Sequence, residues 1–278
     1  MKRRSSILIL TVLSALAVGR LDAQSWRTVT ASRQLNGEGA LDVSVRYGAG
    51  RFTVRPAPTG LLFRSQLRYD EDVFVPHSEF DGRRLQLGLD GMRSARIAKQ
   101  GGGEMELELT GAVPIDLDLE FGAVRADIDL GGLSLTRLSV RTGASESVLD
   151  VSLPNPSAMD RAELQVGAAD FTARHLGNLN ASRIEVSAGV GALMIDLTGD
   201  WRQDADVSVH VGLGSLELRL PQGVGVKLER KTLFTSVDTD GLVKRGDAYY
   251  STDWDQAERR LTIEIEAAFG NVDIVWAR

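Results

Sequence analysis

Beyond residue 23 the chain consists largely of short runs in which apolar and polar residues alternate, and many of these runs meet at a glycine. The residues five, three and one before seven such glycines are apolar, with Thr142 the single exception, and apolar residues mostly return four and six positions after them. These glycines are Gly48, Gly122, Gly143, Gly167, Gly189, Gly212 and Gly270. A period of two is typical of β-strands that bury one face. The pattern predicts an all-β fold of half-strands that meet at structural turn glycines, where a side chain would obstruct the bend.

The spacing of the glycines predicts how the half-strands stack. From Gly122 to Gly212 the intervals are 21, 24, 22 and 23 residues. A half-strand of six residues spans about 20 Å, so one interval accommodates two half-strands and two turns. We therefore predict a single-stranded β-helix, or β-solenoid, with coils of about 22 residues. The alternative is a β-sandwich, which also has many short alternating strands but does not require a glycine at one fixed phase.

Two regions depart from this period and divide the chain. Residues 24–110 form an irregular N-terminal β region, in which the turn-like pair Asp81 and Gly82 predicts a hairpin. Residues 111–278 contain the solenoid repeats and a C-terminal cap, where Thr235 stands in place of a repeat glycine. Such irregular ends are expected of a stack of strands, because open terminal edges promote aggregation.

Residues 1–23 have the pattern of a secretory signal peptide. A basic start, an apolar run over residues 7–18 and the small residue Ala23 predict cleavage before Gln24. The run is short for the alternative, an N-terminal membrane anchor. The chain has no cysteine, which excludes a lipid anchor on cysteine, disulfides and thiolate chemistry. We expect an exported protein of the periplasm, the cell surface or the extracellular medium.

The net charge of the chain limits the classes of molecule that it can bind. The formal net charge is -6, and removing residues 1–23 takes away four of 32 basic and one of 38 acidic residues, which leaves -9. Nucleic acid is not an expected partner, because binding a phosphate backbone needs clustered Lys and Arg. After residue 23 no stretch is apolar enough to predict an integral membrane span.

Carboxylates at equivalent repeat positions are the sharpest candidate for a ligand site. Seven residues after successive glycines stand Asp129, Asp150, Arg174, Asp196 and Arg219, and Asp127 lies nearby. Stacked about 4.8 Å apart, Asp127, Asp129, Asp150 and Asp196 would form a ladder able to bind calcium or to act as acid and base on a sugar. The interpretation we favour is that they only solvate an outer sheet. The three histidines lack metal-ligand spacing, so we predict no metal site, no cofactor and no catalytic residue.

Short segments resemble a known family. They are residues 69–71 (Tyr-Asp-Glu), 121–124 (Phe-Gly-Ala-Val), 211–216 (Val-Gly-Leu-Gly-Ser-Leu) and 234–238 (Phe-Thr-Ser-Val-Asp). With the signal peptide, they resemble the bacterial toast-rack family and its relatives among adhesin-like and cell-wall-active antibiotic response proteins. The resemblance covers nearly the whole chain after residue 23, and residues 26–110 are similar to the toast-rack N-terminal region. It implies a single-stranded β-helix exposed at the envelope, and it brings no catalytic residues.

Two functions follow. The first is a non-catalytic envelope component, structural, adhesin-like or related to envelope stress, which contacts an envelope polysaccharide or another envelope protein. The alternative is a β-helical polysaccharide lyase or hydrolase that uses the carboxylate ladder. Aromatic residues make up only 6% of the chain and the four tryptophans are scattered, which disfavours the sugar platforms that such an enzyme needs.

Overall fold

The computed structural model describes residues 25–91, 102–237 and 241–277. The predicted signal peptide lies outside these ranges. Within them the chain forms sixteen β-strands and one short 3₁₀ helix (Leu176–Leu179), without an α-helix, so the prediction of an all-β fold is confirmed. The strands are β1 (Trp26–Gln34), β2 (Leu41–Pro56), β3 (Leu61–Asp70), β4 (Phe74–Phe80), β5 (Arg84–Gly91), β6 (Gly103–Leu109), β7 (Ile115–Asp129), β8 (Leu135–Thr142), β9 (Glu146–Asp150), β10 (Met159–Arg174), β11 (Ala181–Asp196), β12 (Ala205–Leu220), β13 (Gly225–Val237), β14 (Val243–Arg245), β15 (Ala248–Tyr250) and β16 (Arg260–Trp276).

Parallel pairing between long strands dominates the sheet. The strands follow one another in the order β2, β7, β8 with β9, β10, β11, β12, β16 and β13, and each pairs in parallel with the next. In β11 and β12, for example, Ile184 lies beside Val207 and Leu193 lies beside Leu216. A β-sandwich would pair its strands antiparallel, so this arrangement differs from that alternative.

Each long strand bends near its middle. In β11 both Ala188 and Leu193 are buried although they are five residues apart. Side chains an odd number of residues apart in a straight strand point to opposite faces. The chain therefore turns between them, so that both halves of the strand bury their apolar residues in the same core.

Glycines from neighbouring strands meet at these bends. A Cβ on Gly122 would lie 2.2 Å from the carbonyl oxygen of Gly48, and one on Gly212 would lie 2.6 Å from that of Gly189. Six of the seven glycines aligned from the sequence occupy this column. Gly270 does not, because it pairs with Gly214 rather than with the aligned Gly212. The sequence alignment of β16 was therefore wrong by two residues.

The two ends of the stack depart from chain order. At one end β5 pairs in parallel with the first half of β2 and β6 with its second half, although β7 follows on the other side of β2. The predicted hairpin at Asp81 and Gly82 joins β4 to β5. Strand β3 pairs antiparallel with both β6 and β1. At the other end β16 lies between β12 and β13.

One cluster of buried apolar side chains extends from Leu41 to Ile274. It crosses the predicted division between residues 110 and 111 without a break. The division into an N-terminal region and a repeat region stays a prediction.

A buried asparagine ties the turns between long strands together. Asn155 is fully buried; its Oδ1 accepts hydrogen bonds from the backbone N–H of Leu135 and of Ser157, both at 3.0 Å. Its Nδ2 donates to the carbonyl oxygens of Leu135 and Leu179, both at 2.9 Å. Four backbone groups from successive turns thus depend on one side chain, and each of them would be costly to leave buried without a partner.

Candidate binding surfaces

The predicted carboxylate ladder is divided between two columns of the sheet. Asp129 and Asp150 are register partners on β7 and β9, and Asp150 pairs with Arg174 on β10. Further along, Asp196 pairs with Arg219. Asp127 belongs to the adjacent outward column, between Thr53 and Val148. The structure therefore brings Asp129 and Asp150 side by side and separates Asp196 from them by an arginine.

Asp129 and Asp196 are committed to hydrogen bonds in turns. Oδ1 of Asp129 accepts from the backbone N–H of Gly131 at 2.9 Å and from the hydroxyl of Ser152 at 2.8 Å. Oδ1 of Asp196, a buried residue, accepts from the backbone N–H of Thr198 at 2.8 Å. A hydrogen bond that a backbone N–H donates to the carboxylate two residues before it is typical of Asx turns.

The other two aspartates face basic side chains. Asp150 Oδ1 lies 2.7 Å from Nδ1 of His175, and Asp127 Oδ2 accepts from Arg55 at 2.5 Å. Within the described residues no group of three or more acidic or histidine side chains is arranged to hold a metal ion. A ligand role for these aspartates stays a prediction, and their visible chemistry is to hold turns and pair with cations.

A second group of carboxylates lies in a groove of about 260 Å³ on β2 and β7, with Asp42, Asp116 and Asp118 facing Arg137 and Arg141. Burial raises the pKa of Asp116; the neighbouring carboxylates Asp42 and Asp118 add to this increase, and Arg137 opposes it. Arg141 donates to Asp118 at 3.1 Å. The groove is an ion-pair network in which burial disfavours the charged form of Asp116.

Apolar side chains line up where the bends of three neighbouring strands meet. Val190 pairs with Leu213, and Leu213 pairs with Phe269. Their exposed fractions are 49%, 51% and 50%. We call Val190, Leu213 and Phe269 the apolar ridge. The glycines on both sides, Gly212 and Gly214 in the case of Leu213, carry no side chain that could cover it.

A groove of about 570 Å³ lies next to the ridge and has an apolar floor and a charged wall. Ala188, Val211, Gly212, Ala267 and Ala268 line the floor, and His210, Lys231 and Glu266 form the wall. Glu266 Oε2 lies 3.0 Å from Nδ1 of His210, and Lys231 donates to Oε1 at 3.3 Å. Hydrogen bonds from Lys231 and then from His210 lower the pKa of Glu266. An apolar centre with a polar border is the usual composition of a protein-binding surface.

The sequence pattern missed this ridge. The alignment used positions before the glycine and four or six after it, which are buried, whereas the ridge residue lies one position after the glycine in β11 and β12. The signal that could have shown it is the triplet itself, Gly-Val-Gly at 189–191 and Gly-Leu-Gly at 212–214. A large apolar residue between two glycines has no side chain on either adjacent residue of its own strand to cover it.

Known proteins resemble the chain in fold and family. No curated protein matches it. A solved structure from Clostridium sporogenes, described as a candidate cell adhesion protein, is 16% identical, with a TM-score of 0.50 over 91% of this chain and 100% of its own. A candidate adhesin from Bacteroides fragilis is 14% identical, with a TM-score of 0.43 over 90% of this chain and 97% of its own.

The described part of the chain contains no helix that is long and apolar enough to cross a membrane. The family model described as the N-terminal domain of toast_rack, DUF2154, matches residues 22–174 and again residues 161–219. The first match alone covers more than half of the chain, and it confirms the resemblance noted in the sequence. The chain therefore belongs to the toast-rack family.

Proposed function

We propose that this chain is a non-catalytic, adhesin-like protein of the cell envelope that docks onto another envelope protein through the apolar ridge. The observation that carries the proposal is the alignment of Val190, Leu213 and Phe269, each about half exposed, on three neighbouring strands. Apolar surface of this kind is unfavourable in water unless a partner covers it.

The border of the ridge indicates the chemistry of the partner. Lys231, His210 and Glu266 lie on one side of the adjoining groove. A partner protein with an apolar centre and polar groups at its border matches this surface, and a polar sugar chain does not. The candidate cell adhesion protein of similar fold supports an adhesin-like role.

The contacts that Asp129 and Asp150 already make support a non-catalytic role. An acid and base pair in a glycosidase needs two carboxyl groups that are free to face the scissile bond from either side. Asp129 and Asp150 instead accept hydrogen bonds from Ser152 and Gly131 or face His175. Reproducible cleavage of an envelope polysaccharide that is lost when both aspartates become asparagine would contradict this part of the proposal.

For the fold we propose a β-solenoid, in which each long strand with its following turn forms one coil. Parallel pairing of both halves of β10, β11 and β12 with their neighbours supports it. The glycines that meet at the bends support it as well, because a coil must turn at the same place in each layer. A crystal structure in which the two halves of each strand lay in separate antiparallel sheets would overturn it.

For location we propose export with cleavage after Ala23, on the pattern of residues 1–23. The N-terminal sequence of the protein isolated from the cell envelope should begin at Gln24. Protein found in the cytosol with Met1 intact would refute the export proposal without affecting the docking proposal.

Site-specific photo-crosslinking tests the docking proposal. A benzophenone amino acid at position 213 should give one crosslinked protein in the envelope, identified by mass spectrometry and then purified. The same probe at Leu153, an exposed leucine (60%) outside the ridge, is the matched control. The Leu213→Asp variant should bind the purified partner at least tenfold more weakly, while Leu153→Asp binds it normally. Equal crosslinking at both positions, or equal affinity of both variants, would rule out the ridge as the docking surface.

A further inference from the structure

A third groove, of about 560 Å³, lies towards the other end of the stack from the apolar ridge, where Gly50 of β2 pairs with Gly103 of β6. Its lining includes Trp26, Arg51, Arg68, Glu104, Arg125 and Glu146. We call it the arginine groove. Its volume lies within the range of about 300–1,000 Å³ that is usual for small-molecule sites.

An aromatic ring holds one of its arginines. The guanidinium carbon of Arg68 lies 4.3 Å from the centre of the Trp26 ring. Stacking occupies the flat face of a guanidinium and leaves its in-plane N–H donors available for a planar acceptor such as a carboxylate. Within the described residues Arg68 has no carboxylate at ion-pair distance. Glu104 is its register partner on β6 but forms its ion pair with Arg51, so the groove contains an oriented cation that has no ion pair of its own among the described residues.

The other charges in the groove are paired. Arg51 lies 3.6 Å from Glu104, and Arg125 lies 2.5 Å from Glu146. Among the described residues that line the groove, three arginines against two glutamates give a local excess of one positive charge, in a chain whose formal net charge is -6. A polyanion is repelled by most of this protein and attracted here.

A buried hydroxyl lies beneath the groove. Tyr47 is 1% exposed, and its hydroxyl has no hydrogen-bond partner among the described residues. This oxygen is 3.1 Å from the place where a Cβ of Gly103 would stand, and Gly103 lines the groove. The hydroxyl therefore lies close to the backbone of a residue that lines the groove.

We propose that the arginine groove binds a uronic acid residue of an acidic polysaccharide. The Arg68 guanidinium receives the sugar carboxylate in a two-point hydrogen-bonded pair. Glu104 and Glu146 accept hydrogen bonds from the sugar hydroxyls, a role that a simple inorganic anion would not need. The proposal is independent of the apolar ridge, which lies on other strands.

Titration calorimetry with purified protein at low salt tests the proposal, using a short oligogalacturonate and its neutral methyl ester as probes. The oligogalacturonate should bind at least tenfold more tightly than the ester, and raising the salt should weaken its binding. Arg68→Gln should weaken it at least tenfold. Arg46→Gln is the matched control, since Arg46 is an exposed arginine outside the groove that pairs with Glu120.

Trp26→Phe provides a second variant. It keeps an aromatic face for Arg68 but removes the indole, so the change in tryptophan fluorescence on binding should disappear while most of the affinity remains. Equal binding of acid and ester, or equal losses in Arg68→Gln and Arg46→Gln, would overturn the proposal. Displacement of the oligogalacturonate by an equal concentration of inorganic phosphate would also overturn it, because the groove would then be a site for any anion.

Discussion

Replacing Gly214 with alanine should strongly destabilise the protein. Gly214 has a φ of +147°, which residues with a side chain rarely adopt. A Cβ built there would lie 1.8 Å from the carbonyl oxygen of Gly191 in the neighbouring strand. Alanine at this position therefore meets two separate obstacles, one in its own backbone and one in β11.

These two obstacles determine the expected loss in the free energy of unfolding. The unfavourable φ costs about 1–3 kcal/mol. To relieve the contact, β12 must move away from β11, which weakens one or two ladder hydrogen bonds worth about 0.5–1.5 kcal/mol each. The sum is about 4 kcal/mol. For a chain of this size 1 kcal/mol corresponds to about 2–4 °C in Tm, so the expected decrease is about 8–16 °C.

Two control variants separate the obstacles. Gly223 has a φ of +74° but no atom within 4 Å of a built Cβ, so Gly223→Ala meets only the backbone cost of about 1–2 kcal/mol. Gly39 also has no atom within 4 Å, and its φ is not in the positive region. Gly39→Ala should be neutral or stabilising by about 0.4–1 kcal/mol.

Thermal unfolding followed by circular dichroism ranks the three variants by their Tm. Amide hydrogen exchange then locates the effect, which for Gly214→Ala should be concentrated in β11, β12 and β16, because a stack of strands can open locally. If Gly214→Ala and Gly223→Ala had the same Tm, the close approach of the two backbones would contribute nothing, and the role assigned to the bend glycines would be refuted.

Three further predictions concern polar side chains. Asn155→Ala should cost about 3–5 kcal/mol, because it leaves four backbone groups without their partner, and an unfolding curve within about 1 kcal/mol of wild type would contradict this. Asp116→Asn should raise the Tm at pH 7 by up to about 2 °C and leave it unchanged near pH 3. The raised folded-state pKa means that ionisation of Asp116 weakens folding, and that this effect vanishes once the carboxyl is protonated. Asp129→Asn combined with Asp150→Asn should change stability by less than about 1 kcal/mol, and calcium should shift the Tm of neither protein; a calcium-dependent rise lost in the double variant would restore the ladder as a metal site.

Local pattern predicted the strands and their buried faces well. The alternation of apolar residues before Gly189 and Gly212 corresponds to the buried half-strands of β11 and β12. These residues alternate because each half-strand has one face in the core, and a period of two is sufficient to read that from sequence.

The register of β16 could not be obtained in the same way. Moving a strand by two residues keeps the same set of side chains facing the core, so the hydrophobic pattern fits both registers. Gly270 could be aligned with Gly212 or with Gly214 on this criterion. The backbone decides between them: Gly270 has a φ of +135°, Gly214 has a similar φ of +147°, and the two are paired.

The alternation of apolar and polar residues could not predict the environment of the carboxylates either. The sequence places Asp129 and Asp150 at equivalent repeat positions, which the structure shows to be neighbouring. Their partners Ser152 and His175 belong to irregular turns, for which alternation gives no information. The same holds for the arginine groove, where β1 is far in sequence from β7 and β9.

The position of β16 between β12 and β13 determines the order in which these strands can pair while the chain is synthesised from its N-terminus. Strand β13 precedes β16 in the chain, yet within residues 25–91, 102–237 and 241–277 its strand pairing is limited to β16 and to two residues of β15. Until residues 260–276 are available, β12 has an open edge and β13 has no long strand to join. A segment made after β13 is therefore the one that joins β13 to β12. A chain cut short before residue 260 would lose two interfaces at once, so a premature stop leaves an open, aggregation-prone edge rather than a shorter version of the same protein.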